Sequence, residues 1–418
     1  MTGTVPAATI DAPPCCRFCA APLTQKFADL GLSPLSNRNL KSDEIASEQR
    51  YPLIARVCGV CLLVQVDDAV PPGEIFSDYD YFSSFAVSWV AHAKRYADAM
   101  IARFDLGTTS RVVEIASNDG YLLQHFRDAG IPVLGVDPAA NVAAAAIAHG
   151  IPTEVAFFGV ETARTLATRG FSADLMAANN VLAHVPDTRD FVGGFAVLLK
   201  PEGVATFEFP HILRQIEGLQ FDTIYHEHYF YLSLHAVEQI FASQGLRVFD
   251  VEELSTHGGS LRLFACHEAA AHTPTARLDA VRAAERTARL DTVEGYVGFA
   301  GRIDAVRREF NQWLAEARAA GKLVAAYGAA AKGNTFLNFC GVKHPGIAAA
   351  FDRNPAKQGK LTPGSHIPIR SPDEIASLRP DYLLILPWNL ADEIRTTIDM
   401  QPWGGQFVVA VPHTRVLV

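Results

Sequence analysis

Two Cys-x-x-Cys pairs near the amino terminus, Cys16/Cys19 and Cys58/Cys61, constrain this fold more than any other feature of the chain. A two-residue gap lets a tight turn aim two thiolates at one ion, and tetrahedral zinc takes four such donors. The polar segment between the pairs is too small for a core of its own. It is therefore expected to form a short ribbon around the metal, with Gly59 inside the second knuckle. Four thiolates leave no coordination position for water, so the metal is read as structural. Cys15, next in line in "CCRFC", can replace Cys16 only across a three-residue gap. A redox Cys-x-x-Cys normally occurs once and opens a helix, which this doubled arrangement does not suggest.

The remaining length calls for further cores. With 418 residues the chain exceeds one domain of roughly 100–200 residues. A formal net charge of -9 gives no attraction for nucleic acid phosphates or an anionic membrane surface. No apolar run approaches the roughly 20 residues that cross a bilayer, and the first residues lack the charged-then-apolar order of a signal peptide. These features predict a cytoplasmic protein with reduced cysteines. Without a coiled coil or an apolar stripe outside the core, a monomer is the default.

The middle of the chain alternates short apolar strands with helices. "RVVEIA" reads as a strand ending in a small-residue loop, and "GYLLQHFRDAG" as a helix stopped by Gly130. "PVLGVDP" is a second strand ending in Asp137. "ADLMAANNVLAHV" and "GVATFEFPHI" continue the series, "HYFYLSLHAVEQIFASQG" ends as a helix at Gly245, and "LRVFDVEEL" with "GSLRLFACH" closes it as an antiparallel pair. In doubly wound folds the ligand sits outside the carboxyl ends of the strands, where an acidic residue accepts hydrogen bonds from ribose hydroxyls. Asp137 is the candidate. A dinucleotide fold would present G-x-G-x-x-G, whereas "EIASNDG" presents Glu114, a small-residue turn and Gly120, in the manner of an S-adenosylmethionine loop. Glu114 is expected to orient this loop. Backbone around Ala116, Ser117, Asn118 and Gly120 approaches the methionine moiety, Phe157 and Phe158 flank the adenine, and Pro138, Asn179 and Asn180 complete the cofactor site.

Residues from about 275 to 320 carry apolar positions at helical spacing, with Gly321 as a stop. "KLVAAYGAAAKGNTFLNF" then repeats strand, glycine-containing loop and helix, and "IAAAFDRNP" ends another strand at Asp352. This is a second, smaller Rossmann-like unit. Backbone donors at its helix start, with Lys332 and Asn334, suit a diphosphate. A second cofactor site and a degenerate duplicate that only buttresses the cleft are the alternatives.

Taken together, "DYDYFSS", "VVEIASNDG", "NNVLAHVPD", "YHEHYFYLS", "HGGSLRLF" and "AYGAAAKGNTFLNF", with the paired cysteines, resemble the S-adenosylmethionine-dependent sugar C-methyltransferases that act on nucleotide-linked 4-keto deoxyhexoses, the TDP-hexose 3-C-methyltransferases. The resemblance covers nearly the whole chain. One departure is Ala116 and Ser117, where many relatives carry glycine before the turn. The implied architecture is α/β: a zinc-binding module over 1–75, a class I methyltransferase domain over 76–272, and a helical linker with a Rossmann-like substrate domain over 273–418. The implied cofactors are S-adenosylmethionine and a structural zinc ion, and the implied partner is a TDP- or similarly linked keto sugar.

Methyl transfer to carbon needs a carbanion-like nucleophile, which a ketone provides as an enolate after a base removes the alpha proton. Histidine suits the base, since its ordinary pKa of about 6.5 lies near working pH. The resemblance implies His228 as that base, with Glu227 and Tyr225 as companions. His184 is placed at the enolate oxygen and Tyr79 at the same pocket, with Tyr81 as the alternative. His226 has no part in the chemistry. Methylation of oxygen or nitrogen, and a non-catalytic cofactor-binding protein, are the rival readings.

Overall fold

A computed structural model describes residues 13–417 apart from 68, 69, 71–82 and 86. Tyr79 and Tyr81 lie outside the described residues. Along the chain, β1 (Gln25–Ser33), β2 (Tyr51–Val57) and β3 (Val64–Val66) pair antiparallel as a ribbon that carries the cysteine knuckles at its ends. Alternation is visible in β2, where Leu53, Ala55 and Val57 are buried and Ile54 and Arg56 are less so, as expected of a strand with one face on a core.

After the helix α1 (Val87–Phe104) come the parallel strands β4 (Val112–Ile115), β5 (Val133–Val136), β6 (Thr153–Glu154), β7 (Ala173–Asn179) and β8 (Leu199–Pro210). Every residue of β4 is buried, because helices cover both faces of a parallel sheet. Between these strands run α2 (Leu123–Asp128), α3 (Ala140–Ala148), α4 (Val160–Thr168) and α5 (Thr188–Leu198). The chain then makes a two-residue strand, β9 (Phe230–Tyr231), and a helix, α6 (Leu234–Ala242), capped by the Ser233 hydroxyl on the Ala236 N–H. The antiparallel pair β10 (Leu246–Leu254) and β11 (Ser260–His267) finishes a seven-stranded sheet of order β10-β11-β8-β7-β4-β5-β6. Strand order reverses beside β4, which places the ligand crevice at its carboxyl end. This is the class I methyltransferase topology.

Strand β9 does not join that sheet. It pairs with β3, Val64 opposite Tyr231 and Gln65 opposite Phe230, and so completes the amino-terminal ribbon.

Two helices, α7 (Ala276–Thr287) and α8 (Phe299–Ala319), lead to the third sheet. It contains β12 (Val324–Tyr327), β13 (Ala350–Phe351), β14 (Ile369–Arg370), β15 (Tyr382–Ile385), β16 (Gln406–Val409) and β17 (Arg415–Leu417), with the helix α9 (Ala331–Cys340) after β12. All pairings but that of β16 with β17 are parallel.

The amino-terminal ribbon shares its core with both neighbours. Cys16, Phe18, Cys58 and Leu63 pack with the methyltransferase core, while Phe27, Leu53 and Val64 pack with α8 and the third sheet. Phe27 stacks flat on Phe299, ring centroids 4.4 Å apart. No helix among the described residues is long and apolar enough to cross a membrane.

Candidate active site

The metal centre comes first in the chain. The Sγ atoms of Cys16, Cys19, Cys58 and Cys61 all lie within 4.8 Å of one another, with Cys16 to Cys61 at 3.6 Å and Cys19 to Cys58 at 3.4 Å. A tetrahedron with zinc–sulfur bonds of about 2.3 Å has edges near these values. Cys15 is exposed and outside the cluster, so the two-residue gap is the one used. The Val60 N–H donates to Cys58 Sγ at 3.4 Å and the Gln65 amide to Cys16 Sγ at 3.1 Å, orienting the donors from a second layer. The set fits a closed structural zinc site.

At the end of β4, Ala116 and Asn118 take φ of 54° and 49° and turn the chain. Asp137 fastens this loop to β5. One carboxylate oxygen accepts the Asn118 N–H at 2.9 Å, the other the Ala139 N–H at 2.9 Å. Burial raises its pKa. Glu114 is buried, and its pKa is raised well above the ordinary value by that burial, then by Asp137 and Asp119. Three buried acceptors at this end of the sheet have no partner among the described residues: Glu114 Oε2, Asp119 Oδ1 and Asn179 Oδ1. Such orphaned atoms are what a polar, hydroxyl- and ammonium-bearing cofactor satisfies. Asp119 was not singled out from sequence, although its carboxylate holds the Ser84 N–H at 3.1 Å while Asn118 holds that of Ser83 at 3.0 Å.

The residues expected around the cofactor stand in different settings. The Ser117 hydroxyl turns into the sheet and fills the space where a side chain at Gly135 would stand, and its backbone, the part expected near the methionine moiety, stays in the loop. Phe158 lies edge-on to Phe191 and Phe195 at 5.8 and 5.2 Å, inside the helical layer, because that layer needs an aromatic filler. Phe157, 73% exposed, is the one of the pair that projects outward. Pro138 is exposed beside Asp137, and Asn180, at φ 56°, donates its N–H to the Glu208 carbonyl at 2.6 Å.

The two histidines meet on loops after β7 and before β9. His184 ends a single turn, Leu182–His184, and its ring lies edge-on to that of His228 at 4.6 Å. The loops are stitched together: His184 Nδ1 to the Glu227 carbonyl at 2.8 Å, and the Tyr229 N–H to the Ala183 carbonyl at 2.8 Å. His228 Nδ1 stands 2.9 Å from the Thr223 carbonyl. A carbonyl only accepts, so both imidazoles carry their proton on Nδ1 and present a lone pair at Nε2. His228 Nε2 accepts the Tyr225 hydroxyl at 2.8 Å. Burial pushes His184 down to about 4 and His228 well below the usual histidine value, the latter helped by His184. Both rings are neutral bases.

Backbone carbonyls orient both rings. The Glu227 carboxylate turns away to accept the Asn37 amide of the amino-terminal module at 2.9 Å, and burial lifts its pKa to about 7. His184, expected at the enolate oxygen, offers an acceptor at Nε2 in its neutral form, not the donor that an oxyanion needs. His226 bonds the Pro52 carbonyl at 3.1 Å, tying this stretch to β2.

The third domain packs against these loops through the turns at Asp222 and at His257–Gly258. Lys332, at the start of α9, stands 3.5 Å from the His257 carbonyl and 3.4 Å from Asn389 Oδ1, with its ammonium over the Trp388 ring at 5.2 Å. The Trp388 indole donates to buried Asp222 at 2.7 Å. Gly258, at φ 88°, has the Trp388 ring where a Cβ would sit, so the "HGG" turn is glycine for close approach. Asn334, expected beside Lys332, is instead fully buried and donates to the Ser36 carbonyl at 2.7 Å; the amino-terminal module occupies that side of α9. Asp352 repeats the Asp137 clamp, accepting the Ala329 and Asn354 N–H groups at 2.8 and 2.9 Å. Asp222, His257, Trp388 and Asn37 were missed from sequence; only the paired glycines after His257 signalled that something packs there.

Family models match three successive spans: a zinc binding domain at 16–76, a methyltransferase domain at 89–251, and a C-methyltransferase C-terminal domain at 255–412. The chain is 37% identical over 407 residues, 96% of each protein, to the C-methyltransferase NovU of Streptomyces niveus. It is 30% identical over 115 residues to a ubiquinone biosynthesis O-methyltransferase of Rhodopseudomonas palustris, covering 26% of this chain and 45% of that one. Among solved structures, the magnesium protoporphyrin IX methyltransferase of Synechocystis PCC 6803 with bound SAM aligns at 16% identity and a TM-score of 0.34, covering 48% of this chain and 99% of that one.

Proposed function

The chain belongs to the S-adenosylmethionine-dependent C-methyltransferases, and on that premise we propose that it methylates the carbon alpha to the ketone, C3, of a nucleotide-linked 4-keto deoxyhexose. The observation that carries this reading is the pair of neutral imidazoles, His184 and His228, each with Nδ1–H on a carbonyl, which leaves His228 Nε2 as the acceptor that the Tyr225 hydroxyl meets.

The loop 114–120, with Asp137, Asn179 and Phe157, would hold S-adenosylmethionine, which when bound supplies an electrophilic methyl group. The chain's own residues make the nucleophile. His228 Nε2 takes the alpha proton once the substrate displaces the Tyr225 hydroxyl from that lone pair, and Tyr225 then faces the sugar. A neutral histidine in a dry pocket accepts a proton without first losing one, and such general-base help contributes roughly 10²–10⁴-fold. Glu227 and Asn37 hold the loop and leave the proton alone. The loop of the third domain, fixed by Asp352 in the way Asp137 fixes its counterpart, is suited by its backbone donors to anchor the nucleotide.

A His228→Asn variant is expected to bind S-adenosylmethionine and TDP as the wild type does. It should lose methyl transfer to a panel of TDP- and GDP-4-keto-6-deoxyhexoses and lose exchange of the alpha proton with D2O. Undiminished turnover in that variant, or methyl transfer that leaves an alpha-deuterium label in place, would sink the proposal.

A further inference from the structure

An enolate oxygen is held best by a charged donor, and the two histidine loops offer neutral groups only. His184 keeps its Nδ1 proton on the Glu227 carbonyl, and Tyr225 brings a phenol hydroxyl. The third domain brings in a cation. Lys332 lies against the face of Trp388, the indole N–H of Trp388 is on Asp222, and the residue after Asp222 is Thr223, whose carbonyl fixes the ring of His228. An unbroken chain of contacts therefore sets the ammonium relative to the base. Its two hydrogen bonds, at 3.5 and 3.4 Å, are long for a charged donor with three protons, and no carboxylate closes an ion pair with it among the described residues. Asp222, held by the indole N–H, is the carboxylate whose charge the ammonium feels, and its Oδ1 is buried without a partner among the described residues. The diphosphate reading of Lys332 relied on Asn334 as its companion, and Asn334 is buried elsewhere.

We propose that Lys332 is a catalytic residue of the C-methylation, donating from Nζ to the ketone oxygen while His228 removes the alpha proton. This rests on the enolate reading above. In the step, the C–H bond breaks and its proton goes to His228 Nε2. Its electron pair forms the carbon–carbon double bond, and the carbonyl π pair moves to the oxygen facing Lys332. When the carbon forms its bond to the methyl group, the methyl–sulfur bond of the sulfonium donor breaks with its electron pair left on the thioether sulfur, the ketone is restored and Lys332 keeps all its protons. A fixed donor aimed where charge develops acts most strongly in a water-poor site, and its removal costs roughly 10²–10³-fold in rate. Lys332 shifts downward in pKa through burial, against the pull of Asp222, which fits a cation kept dry for a ligand.

The test compares wild type, Lys332→Met, Lys332→Arg and His228→Asn in D2O exchange of TDP-4-keto-6-deoxyglucose with S-adenosylhomocysteine present, and in methyl transfer. Lys332→Met should lose about 10²-fold or more in both exchange and kcat while its affinities for TDP and S-adenosylhomocysteine stay within about threefold of wild type; Lys332→Arg, which keeps the charge, should recover part of the rate. Exchange near the wild-type rate, or a raised KM and weakened TDP binding with kcat unchanged, would return Lys332 to the diphosphate and overturn the inference. Wild-type methyl transfer without exchange, matched by an active His228→Asn, would instead overturn the enolate reading itself.

Discussion

At the scale of single residues, the site is decided by which atom carries each proton. The sequence places His184, Tyr225, Glu227 and His228 as a titratable cluster, and the structure brings the first, second and fourth together. What the string of letters does not show is that backbone carbonyls orient both rings while the one carboxylate in the stretch turns to Asn37, 190 positions away. Glu227 makes this measurable. Its pKa is near 4.5 when exposed and about 7 when folded, so between these values the folded state holds a proton that the unfolded chain has released. Stability is then highest below pH 4.5, falls as pH rises toward 7, and levels off above. A pKa unit is worth about 1.4 kcal/mol, so the loss is up to roughly 3 kcal/mol. Glu227→Gln removes this dependence. Urea midpoints taken from pH 4.5 to 8 should show the variant gaining on wild type up to about pH 7; a constant difference would contradict the buried-carboxyl account.

At the scale of elements, the strands and helices of the middle sheet were readable because each obeys a simple period and stops at a glycine or an acidic loop. The exception is β9. Its two residues sit inside an aromatic run that reads as the lead-in to a helix, and only the Ser233 cap separates the two. Pairing with β3 makes β9 part of the zinc ribbon, so metal and base are mechanically linked. Cys58→Ser, or removal of zinc by a chelator, should therefore lower kcat at least tenfold while S-adenosylmethionine affinity holds, because the loop 114–120 is fixed by Asp137 and not by the ribbon. Isothermal titration alongside single-turnover methyl transfer tests this, and an unchanged kcat after verified zinc loss would refute it.

At the scale of the whole molecule, the order of parts along the chain was legible and their interleaving was not. Periodicity reports what one segment buries, not which distant segment it buries against. Nothing in "SNRNL" announces that Ser36 meets Thr335 and Asn334, or Asn37 meets Glu227. Glu48 likewise accepts from the Gly364 N–H at 2.6 Å and pairs with His366 at 3.0 Å. The amino-terminal module thus fastens the two larger parts across the cleft. Phe27 is the apolar centre of that fastening, and Phe27→Ala should cost about 3–5 kcal/mol. Differential scanning calorimetry should show one transition for the wild type and separate transitions of the middle and third domains for the variant; retention of a single sharp transition would show that the two domains couple by another route.

The strand at Phe230–Tyr231 also bears on how the protein is made. At about 5–20 residues per second on the ribosome, β3 is synthesised roughly 10–30 seconds before the strand that will cover its edge. During that interval the ribbon has an open backbone edge, the feature that invites pairing with a wrong chain. Early capture of zinc by the knuckles would hold β2 and β3 in register through that interval. Metal supply during translation would then govern the yield of folded enzyme more than its stability once complete.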